Sequence, residues 1–147
     1  MRKLERDYIL EKEIKDAYHA AKADNNEQGI EEARKRHGEH LIALAEQGDD
    51  YRMLFDLYES MKERGNELID VDEPYLYRDV ERLLTILRKN EIERFTFSST
   101  WSSAVKTAWE LLQKGCTLEG MTEINSKFTD LFHGSYERIP AYVFRIA

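Results

Sequence analysis

Five hydroxyl-bearing residues, Ser98, Ser99, Thr100, Ser102 and Ser103, crowd into FTFSSTWSSAVKTAWELLQKG, residues 95–115. They stand between an alternating apolar stretch and a helical one, so they fall where a strand hands over to a helix N-terminus. Unpaired N–H groups and partial positive charge collect there, and a phosphate or carboxylate can be held. The stretch has neither a glycine-rich approach nor a Gly-Lys-Ser/Thr signature, which leaves a nucleotide cradle without its usual backbone. Helix initiation needs only one hydroxyl; the others are surplus to it.

Other constellations are weaker. His37-Gly38-Glu39-His40 places two imidazoles near one another but departs from His-Glu-x-x-His and points to no third ligand, so no metal or other cofactor is expected. Asp70, Asp72 and Glu73 precede Pro74 without the spacing or glycine of a calcium loop, and helix capping accounts for them. Cys116 and His133 are a conceivable nucleophile–base pair, but neither lies in a recognisable motif, and Gly-x-Ser-x-Gly is absent. No catalytic residue is assigned, and the expectation is a chain that is not an enzyme.

The elements that must carry these residues follow from periodicity. Leu10, Ile14, Ala17 or Tyr18 and Ala21 mark one helix; Ile30, Ala33, His37, Leu41 and Leu44 mark a second, stopped by Gly48. Leu54, Leu57 or Tyr58 and Met61 mark a third, ending at Gly65. A fourth is expected from Asp72 as N-cap through Pro74, Leu76, Tyr77, Val80, Leu83, Leu84, Ile86 and Leu87 to Asn90. The period then changes to two around Phe95 and Phe97. A fifth helix should bury Trp101, Val105, Ala108 and Leu112. Alternation returns from Cys116, with Leu118, Gly120, Thr122 and Ile124 on one face and Thr117, Glu119, Met121, Glu123 and Asn125 on the other. Residues 126–139 read as a loop with a helical turn around Asp130. The closing strand, AYVFRI, is apolar on both faces, as a central strand should be.

The fold class is therefore α+β: N-terminal antiparallel helical hairpins of about four helices, then a strand–helix–strand–strand unit forming a three-stranded mixed sheet. The final strand should lie between the other two, antiparallel to both. A helical region, 1–70, and a small α+β region, 71–147, are expected to pack as one compact unit, with residues 66–73 as a hinge.

With 147 residues, 41% apolar and 35% charged, the chain can build a core beneath a solvated surface. Its net charge of −7 is spread as −4, −3 and 0 over residues 1–65, 66–94 and 95–147. Such a field argues against nucleic acid as partner. No membrane-length apolar run or leader is visible, and one cysteine gives no internal disulfide framework, so the cytoplasm is expected. Eight tyrosines supply area with a polar tip; Tyr51, Tyr58, Tyr75 and Tyr77 are the candidates for protein contact.

FTFSS, the following Trp-Ser, GCTLEG, EIN and the terminal PAYVFRI resemble a group of small uncharacterised proteins of gut-dwelling Gram-positive bacteria and their mobile elements, over roughly residues 76–147. The resemblance implies an accessory protein and carries no catalytic roles. The expectation is a non-catalytic protein-binding module, an inhibitor of a host defence or regulatory protein, with room for a homo-oligomer. The alternative is a sensor or sequestering protein for a small anion such as a nucleotide, held at Ser98–Ser103.

Overall fold

The computed structural model describes residues 2–72, 79–129, 132 and 134–147. The chain divides into two units, Met1–Phe55 and Asp56–Ala147, the division falling inside the third helix.

In the first unit, α1 (Arg2–Ala23) and α2 (Glu27–Glu46) form a hairpin, and α3 (Asp49–Arg64) begins. Leu4, Glu11, Ile14 and Ala21 of α1 and Ala33, His40 and Leu44 of α2 are buried. Their steps of three, four and seven are those of two helices sharing a narrow seam. Asn25 takes the left-handed turn, with φ of 51°, and Asn26 caps α2 by accepting from the Gly29 N–H at 3.0 Å. A Cβ on Gly29 would lie 3.0 Å from that of Ala21, so the helices close tightly at this end. The three-residue connection fixes the antiparallel sense, and at the other end Lys3 donates to Gln47. The seam differs from the expected stripe by part of a turn. Leu10 and Leu41 are exposed, and His40 rather than His37 is buried, edge-on to Phe55 at 6.3 Å and with Nε2 4.0 Å from Glu11.

The second unit holds the end of α3, β1 (Asp70–Val71), α4 (Val80–Lys89), β2 (Arg94–Phe97), α5 (Ala104–Gln113), β3 (Thr117–Thr129) and β4 (Tyr136–Arg145). The sheet order is β1-β2-β4-β3. β4 lies between β2 and β3 and is antiparallel to both, as its two apolar faces require. The sheet has four strands, not three: Asp70 and Val71, expected in a hinge, pair in parallel with Thr96 and Phe97. Two residues are too few for periodicity to reveal a strand. Residues 126–139 are not one loop, because β3 runs to Thr129 and β4 starts at Tyr136. The turn expected at Asp130 lies outside the described residues.

α4 is capped by Asp79, whose side chain accepts from the Arg82 N–H at 3.1 Å, and buries Val80, Leu83, Leu84, Ile86 and Leu87. Pro74, Leu76 and Tyr77 lie outside the described residues. Phe95 stacks on Phe144 at 5.8 Å and Phe97 on Tyr142 at 6.4 Å, giving one sheet face an aromatic ladder.

The alternation expected for β3 is broken by a bulge between Leu118 and Gly120. Leu118 opposes Phe144 and Met121 opposes Tyr142, so both share the aromatic face although they had been expected on opposite ones. Gly120 has φ of 145°, which side chains resist. The bulged Glu119 reaches Arg94 Nε at 2.6 Å and Arg145 Nε at 3.2 Å. Those two arginines are direct cross-strand neighbours, a repulsive pairing that the carboxylate offsets. Their hydrogen bonds, Arg94's first, hold Glu119 below the usual carboxylate range.

Asp79→Ala is expected to cost about 1 kcal/mol, and Phe144→Ala, which empties a fully buried position, about 3–5 kcal/mol. Urea unfolding followed by circular dichroism measures both.

Candidate functional site

β1 and β2 run side by side, and the chain leaves β2 through the serine-rich turn. Asp70 is buried on β1. Thr96 Oγ1 donates to one of its carboxylate oxygens at 2.7 Å, and Ser98 Oγ donates to the other at 2.7 Å. Arg64 Nη1 stands 4.0 Å away. Burial raises the Asp70 pKa from its ordinary range to about 6, against the two hydroxyls and the Arg64 charge, which lower it; Asp72 adds a small upward push. Asp70 and Asp72 therefore do not share one role. Asp70 anchors the parallel strand pair, and Asp72 reaches Lys127 at 3.4 Å.

The five hydroxyls separate by task. Ser98 is committed to Asp70. Ser99 accepts from the Trp101 N–H at 3.1 Å and shapes the turn. Ser103 occupies the α5 N-cap position without a side-chain cap bond. Thr100 and Ser102 are exposed. The Ser98 hydroxyl hydrogen is turned to a carboxylate and not to the solvent side of the turn.

A second polar group fixes β3. The Asn125 N–H donates to Asn66 Oδ1 at 2.9 Å, and its C=O accepts from Asn66 Nδ2 at 3.0 Å and from Arg64 Nη1 at 3.2 Å. Arg64 thus touches both the buried carboxylate and the β3 backbone. Sequence reasoning missed Arg64 and Asn66; the only signal was their place at the end of α3 and just beyond it, a few residues before Asp70.

Of the tyrosines, Tyr51 and Tyr58 are buried, so their rings are core and not contact surface. The Tyr51 hydroxyl donates to Asp7, and burial with that neighbour drives its pKa upward. Tyr75 and Tyr77 lie outside the described residues, as does His133. Cys116 is buried and burial pushes its thiol pKa up, away from nucleophilic reactivity. Among the described residues, no three His, Cys, Asp or Glu side chains are grouped to hold a metal, and no helix is long and apolar enough to cross a membrane.

The surface is unusual at α5. The sequence suggests that Trp101, Val105, Ala108 and Leu112 face inward, but the buried side chains are Thr107 and Leu111. Val105, Trp109 and Leu112 are 78%, 59% and 42% exposed and their spacing lines them along one side of the helix, while Trp101, in the turn just before it, is 53% exposed. Sequence patterning located the stripe and assigned it to the wrong side, because an exposed apolar stripe and a core face have the same period.

The chain belongs to the family described as Domain of unknown function (DUF7698), whose model matches residues 53–146. This span nearly coincides with the second unit and contains the Asp70 centre, the α5 stripe and the whole sheet. Neither the curated proteins nor the solved structures gave a match.

Because the folded pKa of Asp70 lies above its unfolded value of 3.8, the folded chain holds the extra proton between about pH 4 and 6. Stability carried by Asp70 is present below that window and falls as pH rises through it, by about 3 kcal/mol at most. Asp70→Asn removes this term. The difference in urea stability between wild type and variant is expected to change across pH 4–6 and to flatten above it.

Proposed function

We propose that this chain is a non-catalytic protein-binding module whose contact surface is the apolar side of α5. One observation carries the reading: both tryptophans of the chain, Trp101 and Trp109, stand half-exposed beside Val105 and Leu112. Exposed single apolar residues are ordinary, whereas an aligned row of Val105, Trp109 and Leu112, with a second exposed indole in the turn that leads into the helix, resembles the anchors of protein interfaces. The tyrosine surface expected from composition is replaced by this one. An anion reading at Ser98–Ser103 gains less, since Ser98 already gives its hydrogen to Asp70 and that carboxylate opposes a second negative charge. The cytoplasmic setting, the mobile-element context and inhibition of a host defence or regulatory protein are finer proposals that rest on composition and on the resemblance of the C-terminal sequence.

Intrinsic fluorescence tests the surface directly, since no other tryptophan contributes. The free chain is expected to show the red-shifted, easily quenched emission of wet indoles. A specific partner should shift it to the blue and protect it from quencher. Trp109→Ala and Val105→Asp should each weaken that partner at least tenfold, about 1.4 kcal/mol, with circular dichroism unchanged. A partner retained equally by both variants would remove α5 from the interface.

A further inference from the structure

β1 is held on the sheet by very little backbone. It is a two-residue edge strand, paired in parallel through Asp70 with Thr96 and Val71 with Phe97. The Thr96 N–H donates to the Ile69 C=O at 2.9 Å, and parallel pairing is slightly the less stable kind per residue. Side chains supply the rest. Ile69 and Val71 are buried, and between them Asp70 carries an ionisable group into the same interior. The charged groups that act on it are Arg64 from α3 and Asp72 on its own strand. Arg64 Nη1, at 4.0 Å, stands beyond hydrogen-bond reach and also serves the Asn125 C=O. Lys127 of β3 is turned to Asp72, and β2 meets Asp70 with the hydroxyls of Thr96 and Ser98. An ionised carboxylate here is short of compensation. The neutral acid is not. Thr96 Oγ1 lies 2.7 Å from Asp70 Oδ1 and 3.5 Å from the Ile69 carbonyl oxygen, so the Thr96 hydrogen has a second acceptor. A proton on Oδ1 is then donated to Thr96 Oγ1 while the Thr96 hydrogen turns to Ile69, and Ser98 still donates to Oδ2.

We infer that Asp70 is a proton-operated latch: with its carboxyl group neutral β1 stays docked on β2, and with it ionised the strand opens locally to water, releasing Ser98 and the turn that carries Trp101. The rise of the Asp70 pKa to about 6 agrees with this. In the open strand the group returns to its ordinary 3.8. The ratio of open to docked β1 therefore rises about a hundredfold as pH climbs from below about 4 to above about 6. Acid fastens the strand, and neutral pH loosens it. Few backbone bonds go with a strand this short, so it opens without unfolding the rest. The pH dependence thereby belongs first to one strand and only then to the whole chain. The latch acts on the turn ahead of α5 and holds whether or not that helix meets a partner.

Native-state hydrogen exchange tests the latch. The Thr96 amide, bonded to Ile69, reports opening of β1. That of Phe144, paired with Phe95 between β4 and β2, reports opening of the central sheet. With rates corrected for the intrinsic effect of pH, Thr96 is expected to exchange faster than Phe144 and to be indifferent to dilute urea. Its protection should fall about fiftyfold between about pH 4 and 7. Asp70→Asn, a neutral stand-in for the acid, should flatten that profile and leave far-ultraviolet dichroism unchanged. Should the variant fail to fold, the carbon-13 shift of the Asp70 carboxyl decides in the wild type, with a midpoint of about 6 expected. Thr96 exchange that matches Phe144 and accelerates with urea in step with it overturns the inference. So does protection that stays level across pH, or a carboxyl midpoint of about 4.

Discussion

Burying the Asp70 carboxylate is the constraint on which the second unit is organised. A carboxylate removed from water keeps its place only where hydrogen bonds and opposite charge replace hydration. Thr96 and Ser98 provide the first, and Arg64 the second. The two hydroxyls come from the end of β2 and Arg64 from the end of α3, so meeting Asp70's needs also fixes where β1 lies against β2 and where the serine turn begins. Arg64 extends the constraint to Asn125, and Asn66 closes the same point from beside it. Partial satisfaction would leave a buried charge exposed to its full desolvation cost, which makes the arrangement nearly all-or-none.

Much of the architecture was legible because it follows from period and from apolar count. The two apolar faces of AYVFRI required a central strand, and that strand is central. The glycines at 48 and 65 ended helices where local backbone chemistry demanded a positive φ. What stayed hidden involved either too few residues or distant partners. β1 is two residues long. The bulge shows in sequence only as one glycine, and a single glycine has many explanations. Asp70 reads as a cap until Thr96 and Ser98 are brought beside it across the chain.

The candidate surface was hidden for a subtler reason. Hydrophobic periodicity reports that a helix has an apolar side, not whether its own fold or another molecule covers that side. Val105 and Leu112 satisfy the pattern of a core helix while Thr107 and Leu111 carry out the packing. Tyr51 and Tyr58 erred in the opposite direction: residues typical of interfaces filled the interior. Residue type and exposure are separable, and here they separated twice.

The extra residue at Glu119–Gly120 has a consequence for how this strand tolerates change in length. It acts as a phase shifter, so side chains upstream and downstream of it count from different origins. Losing Glu119 would restore simple alternation, with one residue instead of two facing Val143, and would leave Leu118 opposite Phe144 and Thr117 opposite Arg145. A deletion at the bulge is therefore absorbed by the ladder on either side, and what it forfeits is the carboxylate that keeps Arg94 and Arg145 together.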